Sequence, residues 1–252
     1  MSTFFPNSSL KVFITGGNSG LGKALAEAYY RKGSVVIIGG RNQKALDEVA
    51  DQCPGMTTRF IDLSDRQSIA ECAGWLKENH PDLNLLINNA GIQKVLKFDR
   101  ELEEADLCAE MDVNFTGLLL LTNALLPTLL AQPEAGIVNV TSGLAYVPLA
   151  STPVYCATKA ALRSFSASLR YQLRETGVRV IEVIPPKVDT ALHRDQNVEL
   201  PGLSVEKFIE ETLVGLNKGR EQIFVGRAGV LHWLSRLAPE GIMDKINSSD
   251  PR

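Results

Sequence analysis

The sequence predicts an α/β fold of three layers, a doubly wound sheet of about seven mostly parallel strands with helices on both faces. Two observations predict it. Short segments that are apolar throughout alternate with longer amphipathic segments, and such strands are typical of a parallel sheet covered on both faces. No linker, repeat or low-complexity tract interrupts this alternation. The chain, residues 1–252, is therefore expected to form a single domain.

Each strand is predicted from a short apolar run, and each helix from apolar side chains three or four positions apart. The first strand, LKVFI, stops at Thr15-Gly16-Gly17, and the segment after it carries its apolar residues at helical spacing. Ser64 is the expected N-cap of the third helix. The predicted strands cover residues 10–14, 35–38, 57–61, 83–87, 136–140, 178–184 and 222–225, and the predicted helices cover residues 21–31, 43–52, 65–79, 101–130 and 152–176.

One segment departs from the alternation of strand and helix. Residues 189–204 are polar and have no strong period, so a substrate loop or mobile lid is expected there, and it extends to about residue 220. His193 and Arg194 in this segment could contact an acidic group of a substrate, or they belong to a solvated lid.

The composition excludes nucleic acid and membranes as expected partners. The formal net charge is −3, and no basic field is present that would attract nucleic acid or an anionic bilayer. The most apolar segment, residues 117–130, is too short to span a bilayer and is broken by Asn123 and Pro127. It is therefore expected to be a buried helix.

The cysteines and the N-terminus predict a cytoplasmic protein without a metal site. No Cys-x-x-Cys motif and no series of histidines occurs, and the wide spacing of the cysteines is typical of reduced thiols. The N-terminus MSTFFPNSSLK lacks the basic start and long apolar stretch of a signal peptide. The four cysteines are Cys53, Cys72, Cys108 and Cys156.

A glycine-rich turn, TGGNSGLG at residues 15–22, separates the first strand from the first helix. Gly16, Gly20 and Gly22 fit a dinucleotide-binding loop. Glycine permits positive φ and a close approach of the backbone to a pyrophosphate, and the N-terminus of the following helix attracts phosphates. The position between a strand and a helix favours a cofactor site over a plain tight turn, which also uses glycine.

The end of the second strand indicates which dinucleotide is bound. Sites for NAD usually place an acidic residue about twenty positions after the glycine loop, on the ribose 2′-hydroxyl. Here the strand ends in IGGRN, and no acidic residue appears before Asp47. Arg41 could instead pair with a 2′-phosphate through its planar fork of donors, so NADP(H) is preferred and NAD(H) is possible. The alternative is that Arg41 is a surface charge at the start of a helix.

Tyr155 and Lys159 lie four positions apart in the last predicted helix, so they share a face. A tyrosine titrates at about pH 10, and a neighbouring ammonium favours the phenolate and lowers that pKa. Taken alone, the two residues would be a surface pair. Their context reverses this interpretation, because Ser142 follows the fifth strand at the sheet edge where ligands bind.

Further polar motifs end the other strands at this same edge of the sheet. Along the chain, the motifs are TGGNSGLG (15–22), Asp62-Leu63, NNAG (88–91), MDVNFTG with Asn114, VNVTSG with Ser142, and YCATK (155–159). In this order and at this spacing they resemble the short-chain dehydrogenase/reductase family over about residues 10–190.

The resemblance implies a Rossmann-type fold and an NAD(P)(H)-dependent oxidoreductase that transfers a hydride between nicotinamide and a small carbonyl or alcohol substrate. Tyr155 would be the general acid for reduction or the base for oxidation, and Lys159 would lower its pKa and hold the nicotinamide ribose. Ser142 would orient the substrate oxygen, and Asn114 would hold a water behind Lys159. The implied cofactor-binding residues are Gly16, Asn18, Ser19, Gly20, Leu21, Gly22, Arg41, Asp62, Leu63, Asn88, Ala90, Gly91, Tyr155, Lys159, Pro185, Val188 and Thr190.

One turn departs from the pattern of the family. After the sixth strand many members have Pro-Gly-x-Val-x-Thr, whereas this chain reads PPKVDT at residues 185–190. Pro186 fixes φ and lacks an N–H, so it stiffens a turn that glycine would leave free. Val188 is still expected to face the nicotinamide amide, and Thr190 to hydrogen-bond it.

The loops beyond the fifth and sixth strands are expected to select a small hydrophobic or moderately polar carbonyl compound. Residues 144–153 are mostly apolar, and Tyr146 and Leu149 could line the site or pack within the loop. The helices at 107–130 and 152–176 correspond to a pair that family members pack across a two-fold axis, so a homodimer or homotetramer is expected. Alternatively, these apolar faces contact only the protein's own sheet.

Two other functions are weighed against the oxidoreductase. A dinucleotide-binding sensor or regulatory protein on the same scaffold would be expected to lack the tyrosine or the lysine, and both are present. A lyase- or epimerase-type enzyme that retains its cofactor usually has a longer substrate domain than the segment after Thr190 allows.

Overall fold

The computed structural model describes residues 10–190, residue 192 and residues 202–248. These residues form one seven-stranded sheet in which all neighbouring strands are parallel, as the sequence predicts. The strands are β1 (Lys11–Thr15), β2 (Val35–Gly40), β3 (Thr57–Phe60), β4 (Leu85–Asn88), β5 (Ala135–Val140), β6 (Val178–Ile184) and β7 (Gln222–Phe224). Their order is β3-β2-β1-β4-β5-β6-β7, so the winding reverses between β1 and β4 and leaves a crevice there.

Helices cover both faces of the sheet, which confirms the three-layer fold. They are α1 (Gly20–Arg31), α2 (Gln43–Asp51), α3 (Arg66–Asn79), α4 (Glu104–Met111), α5 (Gly117–Leu130), α6 (Pro153–Leu173), α7 (Val205–Asn217), α8 (Ala228–Leu237) and α9 (Pro239–Ser248). Because successive side chains of a strand point to opposite faces, β1 contributes to two cores. Val12 and Ile14 pack with α1, α2 and α7. Phe13, in register with Ile37 and Leu86, packs with α3, α5 and α6.

Helices α4 and α5 form one continuous rod, because a π-helical turn at Asp112–Thr116 joins them. By length and composition alone the rod, residues 104–130, could cross a membrane, a test that buried core helices also pass. In the structure one face of the rod carries leucines that belong to the core on the α3 side of the sheet, as expected of a buried helix. The leucines on this face are Leu118, Leu121, Leu125 and Leu129.

The start of α3 and the end of the chain differ from the sequence prediction. Asp65, rather than Ser64, caps α3, and its Oδ1 accepts a hydrogen bond from the Gln67 N–H at 2.9 Å. Helices α7, α8 and α9 were not predicted from the sequence. Of these, α7 occupies part of the predicted lid and buries Phe208 and Leu216 in the core.

Within the predicted lid, Ala191 and residues 193–201 lie outside the described residues. The predictions for His193 and Arg194 fall there. Leu192 is described and lines the crevice.

Gly117 stands at the start of α5, where two segments of backbone meet. A Cβ at this position would overlap the carbonyl oxygen of Leu63, which follows β3 at the edge of the sheet. The helix can approach the end of β3 this closely only because residue 117 has no side chain.

We expect Gly117→Ala to lower the free energy of unfolding by about 2–3 kcal/mol, because the added methyl group must displace the Leu63 backbone. Gly74→Ala in α3 is the matched control, since no atom lies within 4 Å of its Cβ position. That exchange is expected to raise stability by about 0.5–1 kcal/mol. Urea denaturation measures both changes, and a Gly117→Ala protein as stable as the wild type would contradict the close packing.

Candidate active site

A crevice of about 1560 Å³ opens at the carboxyl ends of the central strands, where doubly wound sheets bind ligands. One half is lined by the glycine turn after β1 and by the turns after β2, β3 and β4. The other half contains Ser142 and Tyr155 and is bounded by α8 and α9. The two halves are continuous, so a long ligand can reach from one to the other.

The turn after β1 presents backbone groups to the crevice. Gly16 and Gly20 have φ angles of 68° and 52°, which residues other than glycine rarely adopt. Gly22 lies behind the turn, where a Cβ would overlap the carbonyl oxygen of Gly16. Ser19 is the N-cap of α1, but its side chain makes no capping hydrogen bond. The first N–H groups of α1 are therefore suited to an anionic ligand.

Hydrogen bonds tie the glycine turn to the NNAG turn after β4. Thr15 Oγ1 accepts from the N–H groups of Asn89 and Ala90, both at 3.0 Å. Asn89 Nδ2 donates to the carbonyl oxygen of Thr15, also at 3.0 Å. The bonds hold Ala90 and Gly91 at the crevice. Thr15 and Asn89 line the crevice too, and the sequence analysis did not single them out.

Arg41 and Asp62 follow β2 and β3 and line the same half of the crevice. The Arg41 guanidinium is exposed and forms no ion pair with the residues that the structure describes. Asp62 Oδ1 accepts hydrogen bonds from the N–H and the hydroxyl of Ser64, at 2.9 and 2.7 Å. Ser64 thus orients Asp62 instead of capping α3.

This half of the crevice fits a nicotinamide dinucleotide. The glycine backbone and the N-terminus of α1 suit a pyrophosphate, and a free guanidinium at Arg41 suits a further phosphate. Gly40 leaves room for the Asn18 side chain, because a Cβ there would lie 2.8 Å from Asn18 Oδ1. Within the described part of the chain, no three side chains are grouped as metal ligands.

Ser142 and Tyr155 meet in the other half of the crevice. Ser142 is the N-cap of a 3₁₀ turn, Gly143–Ala145, and its Oγ accepts from the Leu144 N–H at 3.1 Å. Tyr155 lies in the first turn of α6, and its hydroxyl is close enough to Ser142 for the serine to lower the tyrosine pKa. Both side chains are buried, with 8% and 4% of their surface exposed.

The residue before Ser142 is held from the neighbouring strand. Thr141 Oγ1 donates to Glu182 Oε1 at 2.9 Å, and Gln222 Nε2 donates to Glu182 Oε2 at the same distance. Burial raises the pKa of Glu182 above its usual range. These bonds connect the end of β5 to β6 and β7 at the residue that precedes Ser142.

Lys159 lies one helical turn after Tyr155, and its Nζ is 5.7 Å from the centre of the tyrosine ring. Nζ donates to the carbonyl oxygen of Val140 at 2.9 Å. Burial lowers the pKa of Lys159 to about 8. Burial also raises the pKa of Tyr155, and the nearby Ser142 opposes this rise. In the protein alone desolvation dominates the pKa of Tyr155, and the lowering of this pKa by Lys159 stays a prediction.

Asn114 belongs to the π-helical turn, a feature often found at functional sites. Its Oδ1 accepts from the N–H of Ile92, and its Nδ2 donates to the carbonyl oxygen of Ile92, both at 2.8 Å. Nδ2 also donates to Thr158 Oγ1 at 3.2 Å. Gly91 fits beside these groups, since a Cβ there would lie 3.4 Å from Asn114 Oδ1 and 3.5 Å from Lys159 Nζ.

Glu110 is a fully buried carboxylate that the sequence analysis missed. Its Oε1 accepts from the N–H of Lys94 at 2.8 Å, and the N–H of Tyr155 is close enough to the carboxylate to favour its charged form. Burial raises the pKa of Glu110. The side chain thus joins the segment after the NNAG turn to the start of α6. No motif marks this role, because the partners are distant in sequence.

Three predicted site residues lie behind the wall of the crevice. Gly22 packs against the glycine turn, and Asn114 bonds to backbone. Asn88 is a core residue whose Nδ2 donates to Thr122 Oγ1 at 2.9 Å and to Asn139 Oδ1 at 2.8 Å. The predicted residues that line the crevice are Gly16, Asn18, Ser19, Gly20, Leu21, Arg41, Asp62, Leu63, Ala90, Gly91, Ser142, Tyr155, Lys159, Pro185, Val188 and Thr190.

The Pro185-Pro186 turn retains backbone hydrogen bonds on both sides. The carbonyl oxygen of Pro185 accepts from the Gly143 N–H at 2.9 Å, and that of Lys187 accepts from the Leu203 N–H at 2.9 Å. Neither bond needs an N–H at Pro186. Val188 is buried in the wall of the crevice, as expected.

Comparisons with known proteins match this geometry. A family model described as short chain dehydrogenase covers residues 11–200. The uncharacterised oxidoreductase DltE of Bacillus subtilis (strain 168) is 42% identical over 244 residues, 95% of this chain and 97% of the relative. An uncharacterised oxidoreductase of Staphylococcus aureus (strain USA300) is 32% identical over 182 residues, 71% of this chain and 78% of the relative. A short chain dehydrogenase of Burkholderia cenocepacia J2315, solved in complex with NADP, has a TM-score of 0.83 and 29% identity and covers 95% of this chain and 98% of its own.

The parallel doubly wound sheet, with a glycine-rich turn at one end of its crevice and a serine, tyrosine and lysine at the other, defines a nucleotide-dependent oxidoreductase. The chain belongs to the short-chain dehydrogenase/reductase family. The matched residues include the glycine turn, Ser142, Tyr155 and Lys159 in one continuous stretch. The resemblance seen in the sequence motifs is thus confirmed.

We expect Lys159→Met to stabilise the protein alone at neutral pH. Because burial lowers the pKa of Lys159 from 10.5 to about 8, the unfolded chain binds the proton more tightly than the folded one between these values. The resulting penalty on folding is roughly 3 kcal/mol at pH 7 and fades as the pH rises toward 10.5.

Urea denaturation at two pH values measures this effect. The variant is expected to exceed the wild type by about 2–3 kcal/mol at pH 7 and by less than about 1 kcal/mol at pH 10. Lys77→Met, at an exposed lysine of α3, is the control for the loss of a lysine at the surface. A Lys159→Met protein that is less stable at both pH values would contradict the assigned desolvation.

Proposed function

We propose that this protein is an NADP(H)-dependent oxidoreductase that interconverts a small carbonyl compound and its alcohol, with Tyr155 as the general acid/base. The observation that carries the proposal is the placement of Ser142, Tyr155 and Lys159 at one end of a crevice whose other end fits a dinucleotide. Membership of a family that acts on small carbonyl and alcohol substrates supports it.

Two hydroxyl donors are available where charge develops during reduction. The nicotinamide, when bound, supplies the hydride for a carbonyl or accepts it from an alcohol. As the carbonyl carbon gains electrons, its oxygen becomes negative. Ser142 and Tyr155 line the same half of the crevice next to each other, so both hydroxyls can donate to this oxygen and stabilise it. Tyr155 then transfers its proton to the oxygen as the general acid.

Burial raises the pKa of Tyr155, so its hydroxyl keeps its proton at neutral pH and the proton is present for carbonyl reduction. The raised pKa also makes release of this proton less favourable, so a positive charge is needed nearby when the proton is transferred. Lys159, with a pKa of about 8, is mostly charged at neutral pH. Its ammonium offsets the negative charge that proton transfer leaves on Tyr155.

Arg41 is the reason for preferring NADP(H), although NAD(H) is possible. The guanidinium lines the crevice at the end of β2, where an acidic residue would contact an unphosphorylated ribose. It has no ion-pair partner among the described residues, so its donors are available to a 2′-phosphate. The Burkholderia cenocepacia protein bound to NADP supports this preference.

A cytoplasmic homodimer, or a tetramer of such dimers, is the proposed assembly. The rod of α4 and α5 leaves Leu120 and Leu130 exposed, and α6 leaves Tyr171 exposed. Pairing of these helices across a two-fold axis would cover such side chains. All four cysteines are free thiols, as is usual in a reducing compartment.

Tyr155→Phe is expected to reduce turnover of a carbonyl substrate by roughly 10²–10⁴-fold, because the proton donor is lost. NADPH binding, followed by fluorescence, should stay within about threefold of the wild type, since the ring is retained. Tyr171→Phe is the matched control on α6, where the tyrosine is exposed. Turnover that survives in Tyr155→Phe would refute the assigned acid. A wild type that binds NADPH but reduces no carbonyl would favour the dinucleotide sensor.

Arg41→Ala is expected to raise the Kd for NADPH about 10- to 100-fold and to leave the Kd for NADH nearly unchanged, because only NADPH carries the 2′-phosphate. Fluorescence titration with each dinucleotide measures both values. Lys44→Ala is the control, since Lys44 is exposed nearby but does not line the crevice. Equal losses for the two dinucleotides would refute the role given to Arg41.

A further inference from the structure

Helices α8 and α9 form the outer side of the crevice next to Ser142. Helix α8 lies over the turn that follows the serine, since a Cβ added to Gly143 would be 3.2 Å from Leu231 Cδ1. On α9, Ile246 packs against the buried cluster that contains Tyr155. Both helices therefore adjoin the residues that hold the carbonyl oxygen in the proposed function.

Two hydrogen bonds connect helix α9 to the loop between Ser142 and Tyr155. Asn247 Oδ1 accepts from the N–H of Ala150 at 2.6 Å, and Asn247 Nδ2 donates to the carbonyl oxygen of Pro148 at 3.2 Å. These bonds join segments that are far apart in the chain. They make α9 a fixed boundary of the site.

The surface that α8 and α9 present to the crevice is mainly aliphatic. Val230 and Leu234 line the crevice and yet are 57% and 36% exposed, so their surface is open to a ligand. We call this surface the apolar wall, and it consists of Val230, Leu231, Leu234, Ile242 and Ile246.

The charged side chains near the apolar wall are exposed to solvent. Arg227 and Lys245 also line the crevice on this side, and both are exposed. A substrate rich in hydroxyl groups would exchange its hydrogen bonds to water for contact with aliphatic carbon along the wall. This exchange is unfavourable, because burying a polar group without a hydrogen-bond partner costs free energy.

We infer that the substrate carries a bulky aliphatic or aromatic group next to its carbonyl, and that this group lies against the apolar wall. The inference rests on the proposed function, because it takes Ser142 and Tyr155 as the residues that hold the carbonyl oxygen. Covering the exposed surface of Val230 and Leu234 removes apolar area from water, which favours binding. Among carbonyl compounds, the expected substrates are therefore hydrophobic ketones and aldehydes.

Steady-state reduction of four ketones with NADPH tests the inference: acetone, 2-octanone, acetophenone and dihydroxyacetone. We expect kcat/KM for 2-octanone and acetophenone to exceed that for dihydroxyacetone by at least about 100-fold. Val230→Ser and Leu234→Ser are each expected to lower kcat/KM for 2-octanone by about tenfold while acetone stays within about twofold. Because both side chains are exposed, these exchanges leave the fold intact.

Trp233→Ser is the matched control, since Trp233 is exposed on α8 but does not line the crevice, and it should leave all four ketones unaffected. A preference for dihydroxyacetone, or wall variants that reduce 2-octanone as well as the wild type, would overturn the inference and leave the proposed function intact. A wild type that binds NADPH and reduces none of the four ketones would overturn the proposed function, and the inference with it.

Discussion

A buried amine beside a buried phenol is the arrangement on which the rest of the structure depends. Removing Lys159 from water shifts its pKa from 10.5 to about 8, which corresponds to roughly 3 kcal/mol of lost solvation. One hydrogen bond, to the carbonyl oxygen of Val140, compensates part of this loss. The remainder is offset by the two apolar cores that sandwich the sheet. The site is thus a locally unfavourable feature that its surroundings hold in place.

The loops around the site are held in the same way, by a polar side chain that hydrogen-bonds to the backbone of another segment. Thr15 holds the NNAG turn, Asn114 holds Ile92 on both its N–H and its carbonyl group, and Glu110 holds the N–H of Lys94. Because each bond fixes backbone rather than a mobile side chain, it sets the path of a loop that carries a reactive group. The catalytic geometry is therefore a property of several strand ends acting together.

Local patterns in the sequence predicted the strands, the glycine turn and the shared face of Tyr155 and Lys159, and the structure confirms these features. They are predictable because periodicity and i,i+4 spacing are encoded within a few residues. The rise in the pKa of Tyr155 on burial was not predicted, since it depends on distant residues such as Ile246. Glu110 was missed because its partners are on other segments, and α9 because it docks on a loop near Pro148, far away in sequence.

Because of the π-helical turn at Asp112–Thr116, the rod of α4 and α5 is sensitive to the insertion or deletion of a residue. Such a turn holds one residue more than an α-helical turn, so the segments on either side are rotated by about 100° relative to a regular helix. This offset lets Glu110 face the start of α6 while the leucines of α5 face the core. Deleting a single residue here would swing the carboxylate of Glu110 away from α6, so the number of residues in this stretch matters as much as their identity.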